Sequence, residues 1–273
     1  LLDWEKQIAY ARTDIAFLDR ELERIDQEEK QALEQLGNLS DYRNIFLRLL
    51  VNLRKDNTLR QRSERARLDA FVDTPLLRAF ERARSHHARV LYHRIYSLYH
   101  YATGDLRQFY ETGRRLIALM ESEPHFLRED VSEYISALSN FIRSCGELRR
   151  FEEVERYLEK LRRVNPLTQD DELKIHRQYY QLKFSLCIEK GDFAEGMEAL
   201  RKHLKERDKF DPVFFENYSF YIAYFYLAFG AGRYEDALTY LNKALSFSRS
   251  IERQDLQTIA RILNLIVHYE LGN

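Results

Sequence analysis

Proline is scarce in this chain, and its few positions show what the scarcity excludes. Four prolines occur in 273 residues. Thr74-Pro75 and Asp211-Pro212 each put a capping residue before a proline at a first helical position. Glu123-Pro124 and Asn165-Pro166 fall in connections, just ahead of the next helix. No proline interrupts an apolar pattern, which excludes proline-kinked helices and proline-rich spacers. Glycine is also sparse, with 9 residues, so glycine-rich linkers are excluded as well. The 2 cysteines cannot form a disulfide framework for a chain this long. Cys145 and Cys187 are expected as reduced core thiols of a cytoplasmic protein. No stretch reaches the ~18 to 20 apolar residues of a membrane span. The richest run, Tyr218 to Gly230, is too short and carries four tyrosines. A formal net charge of −1 excludes a chain that binds polyanions over its whole surface. No secretory leader is visible. The chain opens on Leu1-Leu2 and closes just after Gly272, so a piece of a longer protein is expected.

What is present suits helices. Hydrophobic residues make up 45% and charged residues 32%, enough for a continuous core covered by wet helix faces. Ile8, Ala11, Ile15, Leu18, Leu22, Ile25, Glu29, Ala32 and Leu36 step by 3 and 4, a heptad seam with one polar break. The spacing predicts one helix over residues 1–36. Gly37-Asn38 reads as its end and Ser40-Asp41 as the cap of the next, giving an antiparallel hairpin. Tyr42, Ile45, Phe46, Leu49, Leu50 and Leu53 form the second helix's apolar face. Residues 59–72 read as a helix with Leu59, Ala66, Ala70 and Phe71 inward. From Pro75 to Ala102 the pattern is helical again, broken near Ser85.

A turn signature then recurs: Gly104-Asp105-Leu106, Gly146-Glu147-Leu148, Gly191-Asp192-Phe193, Gly232-Arg233-Tyr234 and Gly272-Asn273. The intervals are 42, 45, 41 and 40 residues, and self-similarity at such a period marks a repeat array. Helix pairs are predicted at 85–103 with 105–121, 130–145 with 151–163, 171–190 with 192–207, and 213–230 with 233–249. A last helix, 255–271, lacks a partner and should present an uncovered apolar face. The aromatic stretch from Phe214 to Phe229 has strand propensity, but its length and its place in the repeat predict a helix buried on most sides.

Residues 232–249 resemble the second helix of a tetratricopeptide repeat. In that family a small residue follows the turn aromatic by three and an alanine comes seven later; Tyr234, Ala237 and Ala244 match. Phe151, Val154, Leu158 and Pro166 keep the family spacing, with three extra residues after Gly146. Phe193 and Gly196 fit, while His203 replaces the second alanine. Phe109 and Gly113 stand in reversed order. The units are longer than the family's 34 residues. The resemblance covers residues 85–273 and implies a right-handed α-α superhelix, a divergent long-helix solenoid. Residues 1–84 form a separate N-terminal helical region.

In such arrays the first helix of each pair lines a concave groove that holds a partner peptide. Carried over by position, the groove takes Leu91, Arg94, Leu98 and Tyr101, then Ser136, Asn140 and Arg143, then Gln178, Gln181 and Ser185, then Ile222 and Tyr226. These residues do not reproduce the family's clamp for a C-terminal carboxylate. Charge is uneven: residues 1–42 carry a net −6 and residues 43–94 a net +8. The acidic helix can neutralise the basic segment. Alternatively Arg54, Arg60, Arg62, Arg65 and Arg67 form a basic patch for phosphate or an acidic partner. His86, His93 and His100 recur every seven residues, ~10.5 Å apart along a helix, too far for one metal. No phosphate loop, zinc-binding helix motif, nucleophile elbow or cysteine–histidine neighbours occur. The expected protein is therefore an all-α, non-enzymatic interaction scaffold without cofactor or metal. Its partner is a protein or peptide rather than nucleic acid or membrane, with self-association through residues 8–36 as a further possibility. A second reading is a ligand- or peptide-sensing regulatory domain of a larger protein, like the bacterial peptide-pheromone receptors.

Overall fold

A computed structural model of the chain describes residues 2–11, 15–55, 62–248 and 254–272. Among the described residues there are thirteen α-helices and no strand. They fall into two compact units, Leu1–Ser122 and Glu123–Asn273. The division lies one helix pair later than the boundary read at residue 84.

The first unit holds α1 (Leu2–Tyr10), α2 (Ile15–Lys55), α3 (Arg62–Val72), α4 (His86–Thr103) and α5 (Leu106–Ser122), with short 3₁₀ turns at Pro75–Leu77 and Phe80–Arg82. The predicted break at Gly37-Asn38 is absent: α2 runs through it for 41 residues. A glycine inside a helix costs about 1 kcal/mol, less than losing the packing on either side. Asn38 does not cap a helix. Its amide donates to the Arg82 carbonyl at 3.1 Å and its oxygen accepts from Arg84 N–H at 2.9 Å. The chain reverses earlier, between α1 and α2. Lys6 on α1 reaches Asp26 and Glu29 at 2.7 and 2.6 Å, and Arg24 reaches back to Glu5 at 3.2 Å. The seam from Ile8 to Leu36 is therefore not one buried stripe. Ile25 is buried, whereas Ile8 and Leu36 are exposed; the side chains of Ile15 and Leu18 lie outside the described residues. Carboxylates of the acidic first half of α2 pair with Lys6 and Arg24, and Glu34 pairs with the basic segment at Arg84.

The core of this unit joins Tyr42, Phe46 and Leu49 of α2 to Leu68, Leu77 and Ala83, and to Ala88, Leu91 and Ile95 of α4. Among the described side chains of α3 Leu68 is buried, while Ala66 and Ala70 are exposed; Leu59 lies outside the described residues. Ser85 caps α4, accepting from Ala88 N–H, so the predicted break there is real. The piece before it is two 3₁₀ turns rather than an α-helix.

The second unit holds α6 (Pro124–Glu129), α7 (Val131–Glu147), α8 (Phe151–Arg162), α9 (Gln169–Lys190), α10 (Phe193–Glu206), α11 (Tyr218–Gly230), α12 (Tyr234–Ser248) and α13 (Gln254–Glu270). The predicted pairs appear as α7 with α8, α9 with α10 and α11 with α12; α4 with α5 gives the fourth in the first unit. Each first helix also touches the next, α7 to α9 and α9 to α11. α11 starts later than predicted, because Asn217 caps it and Pro212–Phe214 forms a separate turn. As expected, α11 is buried on most sides, through Phe220, Tyr221, Tyr224, Phe225, Leu227 and Ala228.

Small residues set the helix approach. A Cβ at Gly196 would collide with Leu227 and sit 3.1 Å from the Cys187 Cβ, while Ala237 and Ala244 are fully buried. Cys145 and Cys187 are free and buried, with burial raising their thiols to about 12 and about 11.

Gly104, Gly191, Gly232 and Gly272 adopt left-handed φ of 71 to 75°. Gly146 does not: it lies inside α7, and the left-handed residue is Arg149, at φ 55°. The turn has slipped by the three extra residues seen in the sequence. A non-glycine residue there costs roughly 1–2 kcal/mol. Arg149→Gly should therefore raise unfolding stability by about 1 kcal/mol, measured by urea titration; unchanged or lower stability would show that Arg149 bears no strain.

Candidate functional site

The α7 and α9 sequences put polar residues on one shared face. Positions 136, 140, 143 and 147 step by 4, 3 and 4 along α7, and 178, 181 and 185 by 3 and 4 along α9. Lys174 ties the two helices together by donating to the Ser132 carbonyl and hydroxyl at 2.7 and 2.8 Å. Among α7, α9 and α11 lies a cavity of about 350 Å³. Arg143, Glu147, Gln181, Ser185, Glu189 and Ser219 supply its polar lining, and Ile142, Val154, Leu182 and Leu186 its apolar wall. Three predicted groove residues, Arg143, Gln181 and Ser185, thus meet in one cavity with Ala223 of α11.

The other predicted residues stand apart. The Ser136 hydroxyl donates to a carbonyl one turn back in its own helix, as does the hydroxyl of the cavity-lining Ser185. Asn140 is exposed and Gln178 half-buried, outside the cavity lining. Tyr226 is exposed, its ring 5.0 Å from Phe225. Arg94 and Tyr101 belong to the first unit. The Arg94 guanidinium lies 4.1 Å over the Phe46 ring, and Tyr101 packs beside Phe109. Leu91 is a core residue, so α4 uses that face to bind α2.

Glu147 and Glu189 were not predicted. Each lies in the last turn of its helix, where the helix dipole disfavours an anion. The Glu189 carboxyl is raised above its ordinary range, first by burial and then by Glu147, with Arg149 opposing. Arg143, Glu147 and Glu189 form no ion pair among the described residues. The cavity therefore offers two exposed carboxylates, one guanidinium, and amide and hydroxyl groups. Such a set suits peptide amides and a basic side chain.

A second polar cluster lies between α9, α10 and α11. The Tyr224 hydroxyl is 2.6 Å from His203 Nε2, and His203 Nδ1 is 3.0 Å from His176 Nε2. His176 Nδ1 stands 3.8 Å from Glu206, which also accepts from the Tyr180 hydroxyl at 2.7 Å. One neutral tautomer set makes both short hydrogen bonds, Tyr224 donating to His203 Nε2 and His203 Nδ1–H to His176 Nε2, and leaves the His176 Nδ1–H facing Glu206 beyond hydrogen-bond distance. Burial lowers His176 to about 4 and His203 to about 3, helped at His203 by His176 and Arg207. A cavity of about 440 Å³ opens beside His176, lined also by Tyr179, Tyr180 and Lys183. The sequence signal was His203 at a spacing where the tetratricopeptide pattern wants alanine; its partner 27 residues earlier carries no local mark.

The basic patch is described only in part. Arg65 and Arg67 are exposed on α3, and Arg67 donates to Asn52 at 3.4 Å. Arg60 and the side chains of Arg54 and Arg62 lie outside the described residues. His93 and His100 pack against Phe80 and Tyr96, and burial lowers both, His93 to about 4. Among the described residues no helix is long and apolar enough to cross a membrane. No protein-family model matches the chain, and no curated protein or solved structure matches it.

Proposed function

We propose that the second unit is a non-enzymatic scaffold whose first helices, α7, α9 and α11, hold an extended segment of a partner protein. On this reading the array is a divergent, long-helix relative of the tetratricopeptide solenoid, right-handed, with these helices on its concave side. The observation that carries the proposal is the cavity joining Arg143 of α7, Gln181 and Ser185 of α9 and Ser219 of α11. Gln181 and Ser219 supply hydrogen bonds to the segment's backbone. Glu147 and Glu189 favour a lysine or arginine within it. The stacking of α7 on α9 and α9 on α11, and the small residues at Gly196, Ala237 and Ala244, support the array. Two free, buried thiols fit the reducing cytoplasm.

The test is selection of binding peptides from a random display library, followed by affinity measurement on variants. Arg143→Ala with Gln181→Ala should weaken binding at least about 10-fold, since directed hydrogen bonds to charged or amide groups contribute about 0.5–3 kcal/mol each. Helicity by circular dichroism should be unchanged. Glu198→Ala with Lys202→Ala on α10 should bind like the native chain. Full binding by the Arg143/Gln181 pair would remove the groove reading.

A further inference from the structure

We propose that the cavity beside His176 is a second binding site, for a neutral hydroxylated ring of the sugar class. Glu172, His176, Tyr179 and Lys183 step by 4, 3 and 4 along α9, on the face opposite Gln181 and Ser185. With α10 and the end of α8 they wall about 440 Å³, inside the roughly 300–1,000 Å³ of small-molecule sites. None of the lining residues is shared with the groove cavity, so the site stands independently of the groove reading. At its floor the His176 side chain is only 9% exposed. His203 engages its Nε2 at 3.0 Å, and a carboxylate facing Nδ1 calls for the proton there, because a carboxylate only accepts. Among the described residues that N–H makes no hydrogen bond, Glu206 standing 3.8 Å away. A buried donor without an acceptor opens onto the cavity.

The gap between His176 and Glu206 selects what enters it. An ammonium drawn to Glu206 would meet the His176 N–H, and an anion drawn to that N–H would meet Glu206. A hydroxyl accepts from one and donates to the other through a single oxygen. An oxygen ~2.8 Å from each group spans the 3.8 Å between them. Similar couples recur around the wall: Lys202 with Glu198 at 2.7 Å, Arg162 with Glu159 at 3.5 Å, and Lys183 with Glu195. Each of these is neutral and sets N–H donors beside carboxylate acceptors. Glu172 and Lys209, outside the couples, are of opposite sign, so the wall as a whole calls for no strongly charged ligand. A lone carboxamide would satisfy one couple, whereas a ring of hydroxyls meets several at once. Tyr179 and Phe210 are half-buried and line the same cavity, giving apolar surface for the C–H faces of such a ring.

At ordinary ligand efficiency a monosaccharide of about a dozen heavy atoms binds in the millimolar range. Saturation-transfer NMR of the 273-residue chain should therefore use D-glucose, D-galactose, D-mannose and N-acetyl-D-glucosamine, each at about 1–20 mM. At least one of them should receive transfer. An oligosaccharide array run beside it separates the sources: a free sugar gives the solution signal, and a glycan-borne ring gives the array signal alone. Glu206→Ala, at a part-exposed carboxylate, should weaken binding at least about 10-fold with unchanged circular dichroism. Tyr179→Ala should weaken it too, while Gln181→Ala, in the groove, should bind like the native chain. Glycerol, an acyclic polyol, should give no transfer at the same concentrations. No signal from any sugar, in solution or on the array, would leave the gap to water and overturn the proposal. So would sugar binding indifferent to Glu206→Ala, or transfer to glycerol as strong as to the sugars.

Discussion

Replacing Tyr224 with alanine should destabilise the second unit by about 4 kcal/mol, the range for a large aromatic removed from a closed core. Tyr224 is fully buried and sits at the junction of three helices. Its ring lies 5.8 Å from Phe184 on α9 and 5.4 Å from Tyr240 on α12, and beside Phe220 and Tyr221 on α11 itself. The cavity left behind is walled by rigid rings, so relaxation can recover little of the lost contact. The substitution also strips His203 of the hydroxyl at its Nε2, leaving a buried ring nitrogen without a partner. Tyr224→Phe separates the two effects. It keeps the ring and removes only the hydrogen bond, so its cost should be about 1–3 kcal/mol. For a unit of this size the alanine variant should melt roughly 10 °C lower. A loss below about 1 kcal/mol would mean that Tyr224 does not close the core.

The second large effect is acid destabilisation. An unfolded histidine takes up its proton near pH 6.5. In the fold, His93 and His176 hold off until about pH 4 and His203 until about pH 3. Between those values the unfolded chain binds more protons, so stability must fall as pH drops through 6.5 toward 4 and level off above about 7.5. His203 is fully buried and the His176 side chain is 9% exposed, so solvent screens them little. For His176 alone the loss is on the order of 3 kcal/mol. Glu189, raised in the fold, works in the opposite direction, but it is exposed and contributes little. Urea titrations at pH 7.5, 6, 5 and 4.5 should trace the decline. A His176→Gln, His203→Gln pair should make it shallower, leaving the part due to His93, at some cost in stability at neutral pH. A native profile flat from pH 7.5 to 4.5 would contradict the buried, neutral histidine chain.

Helix existence was legible from local chemistry, and helix continuity was not. Turn glycines, Ser85 and the proline-marked connections placed the pairs from α4 to α12 within a few residues. Gly37-Asn38 carries the same stop signal, yet α2 passes through it because Asn38 spends its hydrogen bonds on Arg82 and Arg84, more than forty residues away. The turn at Arg149 was misplaced for a related reason: Gly146 looks like a terminator, but the left-handed residue falls at Arg149, from which α8 buries Val154, Leu158 and Leu161. On the candidate site, helical register identified Arg143, Gln181 and Ser185. It failed at Leu91 and Arg94, where α2 covers a face that the repeat pattern left open. Glu147 and Glu189 were passed over because each reads alone as an ordinary helix-end carboxylate. Only their meeting across α7 and α9 makes them unusual. The apolar face that α13 leaves exposed at Ile262, Leu265 and Tyr269, by contrast, was foreseeable from the last helix lacking a partner.

The groove is the central claim, and hydrogen–deuterium exchange of the chain with a library-selected peptide tests it most directly. Bound peptide should slow exchange in the last two turns of α7 and α9, around Arg143, Gln181 and Ser185, and at the start of α11 near Ser219. Protection confined to α8 and α10, beside His176 and Lys202, or to no part of the second unit, would contradict it.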